Sequence, residues 1–316
     1  MKINNLTTAK AVFIASLAFS ATAVLAERPS GTPTCSFKGG AYYSSNHTLY
    51  LESYADTSAE VVFNQTTVSC LNQNNPSGMD VVIQRDTPLK SNSTVVLPFA
   101  ALRNDDCIKL YEVFNFEKRN GTWEAQGNLK DRDISQRQPY LMVVKTDSSG
   151  CEDRTEVHFK SNTSSFAATP DGEQFTAYSN TFRLKGTLKY MKWDNEKATI
   201  SGVYGYAAKN KGEVSGGQFV KVGSGAFLPP LRAYLQYIGN DNAMYKKSSD
   251  NIEDFELPET IEVRLMDGDS TLSIGKWNTV TGEIQMDSRR FDLNGRAING
   301  KPANHGVYVG KQKVVR

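Results

Sequence analysis

Acidic side chains are the residues of this chain that could carry out hydrolysis, and they occur as adjacent pairs. These pairs are Asp105-Asp106, Glu152-Asp153 and Glu253-Asp254. Glycoside hydrolysis needs two carboxylates that face each other across a cleft, whereas adjacent residues of a strand point to opposite faces. No pair therefore forms such a site locally. Two acids that are distant in sequence could still form such a site. A glycoside-type hydrolase with an unrecognised pair of carboxylates is therefore the alternative.

Histidines and other catalytic motifs give no further site. His47, His158 and His305 lie far apart, and none has a second ligand at metal-binding spacing. Asp267-Gly268-Asp269 begins like a calcium loop, but Asn278 stands where the bidentate glutamate belongs. The chain contains neither Gly-x-Ser-x-Gly nor His-Glu-x-x-His. We therefore predict no catalytic, cofactor-binding or metal-binding residue, and no cofactor.

Aromatic side chains could instead bind a ligand, because their faces stack on sugar rings. The candidates are Trp123, Trp193, Trp277 and the pair Tyr42-Tyr43. Aromatic rings are also the ordinary filling of a β core, and we favour that interpretation. A carbohydrate-binding platform remains the alternative.

The chain contains four cysteines, Cys35, Cys70, Cys107 and Cys151. An even number of cysteines in an exported chain favours disulfides over metal ligands. Three pairings are possible, and the spacing does not choose between them. We expect Cys35 to pair with Cys70 and Cys107 with Cys151, because consecutive strands are usually adjacent in space. The alternative is that one or both pairs stay reduced.

The N-terminus has the three parts of a secretory signal peptide. Lys2 and Lys10 supply positive charge, a mostly apolar run follows over residues 11–25, and Ala26 ends a site suited to signal peptidase. The apolar run is shorter than the roughly 20 residues that a membrane-spanning helix needs. We therefore predict a signal peptide over residues 1–26, a secreted or cell-surface location, and no transmembrane span in the mature chain.

Removal of this segment changes the net charge. The 36 Lys and Arg residues lose Lys2 and Lys10, which leaves 34 basic against 34 acidic residues and a net charge of zero. A neutral chain with interspersed charges lacks the concentrated positive surface that nucleic-acid binding requires. We therefore exclude nucleic acid as a partner.

Short strand patterns separated by turns run through the mature chain. Residues 110–116 alternate in polarity and are followed by Asn120-Gly121, a hairpin-type turn. Residues 61–63 and 95–99 also have strand composition, whereas the best helix candidate, residues 251–255, is one turn long. The pattern predicts an all-β fold, with a β-sandwich or barrel-like core that has one or two sheet-based subdomains, plus a small C-terminal β domain.

Composition divides the mature chain into three parts. Residues 27–239 form the predicted β-rich core, with a possible subdivision near residues 166–175. Residues 240–258 are polar, charged and aperiodic, which is typical of a linker. Residues 259–316 return to strand patterns and form the predicted C-terminal domain.

The C-terminal tail has a specific arrangement of turns and strands. Phe291-Asp292-Leu293-Asn294-Gly295-Arg296 is followed by Gly306-Val307-Tyr308-Val309 and then by Lys311-Gln312-Lys313-Val314-Val315. This tail resembles the C-terminal sorting domain of type IX secretion cargo in Gram-negative bacteria, although Arg316 adds a terminal charge. The resemblance implies export across the outer membrane through the secretion machinery. It assigns the sorting motif to Asp292, Gly295, Arg296, Gly306, Tyr308 and Lys313.

The core also has recurring sequence patterns. Pro139-Tyr140-Leu141 and Pro229-Pro230-x-Arg232-Ala233-Tyr234-Leu235 resemble segments of uncharacterised β-rich surface modules that accompany such tails. The resemblance implies a surface context and assigns no activity. We expect a non-catalytic secreted or cell-surface β module that binds a ligand, a polysaccharide or another component of the envelope.

Overall fold

A computed structural model describes most of the core and short parts of the C-terminal region. The described residues are 28–88, 92–119, 121–145, 150–151, 154–169, 175–177, 181–194, 202–208, 210, 214–239, 257–266, 275–278, 283–286, 290–291 and 297–298. At 175–177 and beyond 274 only the backbone is described. The predicted signal peptide, residues 240–256 of the predicted linker and the six sorting-motif residues lie outside these ranges.

The chain divides into two compact units, Met1–Val263 and Arg264–Arg316. The first unit contains a seven-stranded sheet in which the strands follow the order β1-β2-β3-β4-β11-β6-β9. In that order the strands are Cys35–Phe37, Gly40–Tyr43, Thr48–Ser53, Asp80–Arg85, Glu156–Ser161, Ala101–Arg103 and Asp133–Ile134. The pairs are antiparallel except for β3 and β4, which run parallel.

A second sheet has ten strands in the order β12-β13-β18-β15-β16-β19-β8-β7-β10-β5. In that order the strands are Phe175–Ala177, Phe182–Thr187, Arg232–Tyr237, Val203–Tyr206, Phe219–Lys221, Thr260–Met266, Thr122–Lys130, Ile108–Arg119, Tyr140–Val144 and Ser93–Val95. A small sheet joins β14, Met191–Trp193, to β17, Ala226–Leu228. In the second unit β20, Gly275–Asn278, pairs with β21, Glu283–Met286, and β22, Arg290–Phe291, pairs with β23, Ala297–Ile298.

The sheets form a nearly closed, barrel-like arrangement. Four strands separate β13 from β8 in the sheet order, yet Phe182 of β13 packs against Phe116 and Trp123, with ring centroids 5.3 Å apart in each case. On another side, the hydroxyl of Thr94 in β5 donates to the carbonyl of Ala233 in β18 at 2.9 Å. The predicted all-β fold with a barrel-like core is therefore confirmed.

In the described part of the chain, one helix interrupts the strands. The helix α1, Gln65–Asn72, connects the parallel strands β3 and β4. The side chain of Asn64 caps its first turn by accepting from the backbone N–H of Thr67 at 2.9 Å, and Val68 and Leu71 face the core. The sequence pattern did not predict this helix and instead predicted a strand at residues 61–63, where the described backbone has none.

The expected disulfide pairing is confirmed. Cys35 of β1 is bonded to Cys70 of α1, and Cys107 is bonded to Cys151. Such bonds are typical of proteins that reach an oxidising compartment. Within the described ranges no helix has both the length and the apolar character needed to cross a membrane.

Candidate functional site

Two arginines meet in a recess between the two large sheets. Arg85 is the last residue of β4, and its register partner Ser53 is the last residue of the parallel strand β3. Arg232 is the first residue of β18, and Ser93 is the first residue of β5. We call these four residues and the space beside them the arginine recess. Strand ends from both sheets therefore bring together side chains that are far apart in sequence.

The recess is small and its walls are mainly apolar. It has room for about one water molecule, which is also about the size of a single carboxylate oxygen, and it is partly open to solvent. Ile83 and Val157 line it from the seven-stranded sheet, and Val95 and Met142 line it from the ten-stranded sheet. Apolar walls exclude water from charged groups and so strengthen their interaction with any charge that enters.

Hydroxyl groups hold both guanidinium groups in place. Arg85 donates from Nη2 to the hydroxyl oxygen of Ser93 at 3.2 Å, and Nη1 of Arg232 donates to the same oxygen. Nε of Arg232 is 3.3 Å from the Ser53 hydroxyl oxygen, and that hydroxyl donates to the carbonyl of Pro230 at 2.6 Å. The two cationic groups are thus fixed against one hydroxyl, with no carboxylate between them.

The positive charge of the recess is not neutralised by an ion pair. Arg85 is only 4% exposed, and its Nε has no hydrogen-bond partner among the described residues. Neither Arg85 nor Arg232 forms an ion pair with any carboxylate in the described part of the chain. Asp86 is the acidic residue whose charge acts on both of them, and its carboxylate accepts from the backbone N–H of Ala55 at 2.7 Å.

Burial affects the protonation of both arginines. Removal from water lowers the pKa of Arg85 well below its usual value, and the charge of Arg232 lowers it further, whereas Asp86 opposes this change. Burial also lowers the pKa of Arg232 to about 10. Because arginine keeps its proton in proteins, we treat both groups as charged, and burial disfavours these charged forms.

The backbone next to Arg232 is strained. Leu231 has a φ of 61° and is fully buried, and a bulky residue rarely adopts this left-handed conformation. Its N–H donates to the carbonyl of Thr187 at 2.8 Å, and its carbonyl accepts from the N–H of Val96 at 3.1 Å. Surrounding structure therefore maintains the strain, which is a frequent property of binding and catalytic sites.

The aromatic candidates are mostly part of the core. Tyr42 and Tyr43 are buried, and Trp193 is buried against Tyr234 with ring centroids 5.3 Å apart. Trp123 is half-buried and packs edge-on against Phe182, as described above. The core interpretation is confirmed for Tyr42, Tyr43 and Trp193, whereas the half-buried Trp123 is not part of the buried core and the side chain of Trp277 lies outside the described part.

The structure brings one histidine next to one acidic residue from the sequence pairs, because the backbone N–H of His158 donates to the Asp105 carboxylate at 3.0 Å. His47 is hydrogen-bonded to the hydroxyl of Tyr42 at 2.9 Å, and His158 is 3.1 Å from a carboxylate oxygen of Glu156. Asp105 forms an ion pair with Arg154 at 2.8 Å. His305 and the pairs Glu152-Asp153 and Glu253-Asp254 lie outside the described residues.

The structure also brings together one pair of carboxylates that the sequence pattern did not predict. Glu117 of β7 and Glu124 of β8 are register partners. The side-chain amide of Gln126 donates to both carboxylates, and Glu117 also pairs with Arg119. Because the amide occupies the space between the two acids, this pair does not favour the hydrolase alternative.

Comparison with known proteins adds no assignment. Neither family models, nor curated proteins, nor solved structures contain a match to this chain. Among the described residues, no group of three or more His, Cys, Asp or Glu could hold a metal ion. The arginine recess is therefore the candidate site that the geometry supports best.

The sequence contains only weak signals for this recess. Arg85 follows Val81 and Ile83 at a spacing of two, which places it on the same face of β4 as these buried residues. Arg232 belongs to the segment Pro229-Pro230-x-Arg232 noted above. Nothing in the linear order links the two, because 147 positions separate residue 85 from residue 232.

Proposed function

We propose that this chain is an exported, non-catalytic β module that binds a ligand at the cell surface or outside the cell. The arginine recess carries the binding part of the proposal, because it presents the buried Arg85 and the half-buried Arg232 without an ion-paired acid among the described residues. The disulfides support exposure to an oxidising compartment. A polysaccharide or another envelope component is the partner class that this location implies.

The route of export follows from the two ends of the sequence. The predicted signal peptide over residues 1–26 would direct passage across the inner membrane. The tail with Asp292, Gly295, Arg296, Gly306 and Tyr308 resembles a type IX sorting signal and would direct passage across the outer membrane. Lys313 completes that motif.

Cell fractionation combined with mass spectrometry of both termini tests the route. We expect the full chain to lose residues 1–26 and to reach the surface or the medium, whereas a chain that lacks residues 292–316 should stay in the periplasm. A full-length chain with Asp106→Ala, at an exposed position far from both ends of the sequence, serves as the control. Normal surface display of the truncated chain would overturn the sorting proposal.

Incubation with cell-surface polysaccharides tests the non-catalytic part. We expect the purified protein to bind without releasing new reducing ends. Release of reducing ends that Glu117→Gln and Glu124→Gln abolish would instead establish the hydrolase alternative.

A further inference from the structure

We propose that the arginine recess binds a singly charged carboxylate group of the ligand. This inference rests on the proposed binding function and names the chemical class of its ligand. The group that the recess recognises is a carboxylate, which could belong to a free small acid or to an acidic sugar residue.

The charges around the recess determine the sign and the number of charges that a ligand should carry. Arg85 and Arg232 bring two positive charges, and among the described residues Asp86 is the carboxylate whose charge acts on both. The recess therefore carries an excess of about one positive charge. Buried charges are costly unless a partner compensates them, so a single negative charge would neutralise the recess.

Unused hydrogen-bond donors determine what kind of anion fits. Nε of Arg85 is buried without a partner in the described structure, while Nη2 donates to Ser93. A guanidinium group matches the two oxygens of a carboxylate, since both groups are planar and can form two parallel hydrogen bonds. A bound carboxylate would therefore satisfy the free donor as well as the charge.

The walls distinguish a carboxylate from a more highly charged anion. Ile83, Val157 and Met142 offer apolar contacts and no hydrogen-bond donors from their side chains. The hydroxyls of Ser53 and Thr94 also line the recess, but they already donate to backbone carbonyls. A phosphate dianion would replace the excess positive charge with an excess negative charge and would bring further oxygens against apolar walls. A flat monoanion avoids both penalties.

The fold holds the arginines ready for this ligand. Both guanidinium groups are anchored on the Ser93 hydroxyl, and Ser53 anchors Arg232 a second time. Leu231 keeps its strained φ of 61° through two backbone hydrogen bonds. A site of this kind loses little conformational freedom on binding, because its donors are already fixed.

Calorimetry and thermal unfolding with sodium acetate test the proposal. The purified protein with both disulfides intact is titrated at constant ionic strength with acetate, glucuronate, chloride or inorganic phosphate. We expect acetate, glucuronate or both to bind saturably with a stoichiometry of one and to raise Tm. Acetate alone would indicate a free small acid as the source of the carboxylate, and stronger binding of glucuronate would indicate an acidic sugar. Saturable binding of phosphate in preference to both carboxylates, or equal effects of all four salts, would overturn the proposal.

Variants assign the binding to the recess. Arg232→Gln and Arg85→Gln should each weaken carboxylate binding by roughly 30-fold, as expected for the loss of a hydrogen bond to a charged group. Arg28→Gln is the matched control, since Arg28 is half-buried and already paired with Glu52, and it should bind like the wild type. If one recess variant does not fold, the other still decides the question. Unchanged binding in a folded recess variant would overturn the assignment, and this result is independent of where fractionation finds the protein.

Discussion

Two regions of the first unit contain buried charged groups, and they differ in whether those groups have ion-pair partners. Around Asp105 the charge is fully matched: its carboxylate pairs with Arg154 at 2.8 Å and also accepts the backbone N–H groups of Cys107 and His158 at 2.9 and 3.0 Å. In the arginine recess, Arg85 and Arg232 share a serine hydroxyl and have no ion-pair partner in the described structure.

The difference separates charge that stabilises the fold from charge that is available to a ligand. A buried carboxylate with a cation and two N–H donors has its hydrogen bonds satisfied within the protein. A buried pair of arginines without an acid costs stability in the free protein. Such a cost is common at binding sites, where it increases the gain when the ligand arrives.

The largest expected change in stability comes from the disulfide next to Asp105. Replacement of Cys107 and Cys151 together by alanine opens a loop with a sequence separation of 44. We expect the free energy of unfolding to fall by about 4 kcal/mol from the gain in chain entropy of the unfolded state. Urea unfolding of wild type and variant measures this change. A loss below about 1 kcal/mol would show that this region contributes less to stability than its bonding indicates.

Removal of the buried carboxylate should have the next largest effect. Asp105→Ala leaves Arg154 and two backbone N–H groups without their acceptor, and we expect a loss of about 3 kcal/mol in urea unfolding. Asp106→Ala is the matched control, because Asp106 is exposed, and it should change stability by less than about 0.5 kcal/mol. Similar results for the two variants would remove the distinction between the regions.

Replacement of a recess arginine should change the free energy of unfolding by less, and should not lower it. Arg232→Met removes an uncompensated buried charge, and we expect the ligand-free protein to be unchanged or stabilised by about 1 kcal/mol. Arg154→Met provides the comparison and should destabilise the protein, because it leaves the Asp105 carboxylate unpaired. Destabilisation of both variants to the same extent would indicate that the recess arginines are structural.

Tyr204, inside the barrel-like sheet, should make the stability of the protein depend on pH. Burial, and then the charge of Glu259, raise the pKa of Tyr204 above its usual value of 10.0, and its hydroxyl donates to the carbonyl of Pro258 at 2.8 Å. Above that usual value the unfolded chain loses the phenol proton while the native state keeps it, so stability falls as pH rises.

Tyr204→Phe should therefore cost about 1 kcal/mol at neutral pH through the lost hydrogen bond. As the pH approaches about 11, the wild type loses stability because Tyr204 deprotonates in its unfolded state, whereas the variant has no phenol there to deprotonate. The difference in free energy of unfolding between variant and wild type should therefore narrow. Urea unfolding at several pH values checks the trend. A difference that stays constant with pH would contradict the role of Tyr204.

The fold was more predictable from the sequence than the site, for physical reasons. Alternating polarity directly reflects which face of a strand is buried, so β7 and its hairpin could be placed from residues 110–116 and the Asn120-Gly121 turn. Cys35 and Cys70 pair because β1 and α1 lie next to each other, whereas Cys107 and Cys151 pair from positions outside the helices and strands. The helix α1 was missed because it is only eight residues long and has two core-facing apolar residues, Val68 and Leu71.

The arginine recess depends on how the two sheets pack, which local patterns do not encode. Ser53 and Arg232 form a hydrogen bond although they are 179 positions apart. The sequence shows many arginines, and only the structure distinguishes Arg85 and Arg232 from one such as Arg154 that has an acid beside it.

Nuclear magnetic resonance of the arginine Nε–H groups tests the central claim most directly, since it observes the matched and unmatched arginines in one sample. During titration with sodium acetate, the signals of Arg85 and Arg232 should shift saturably, while the signal of Arg154 should stay in place. Signals of Arg85 and Arg232 that do not move, or that move together with Arg154 in proportion to salt, would contradict the account.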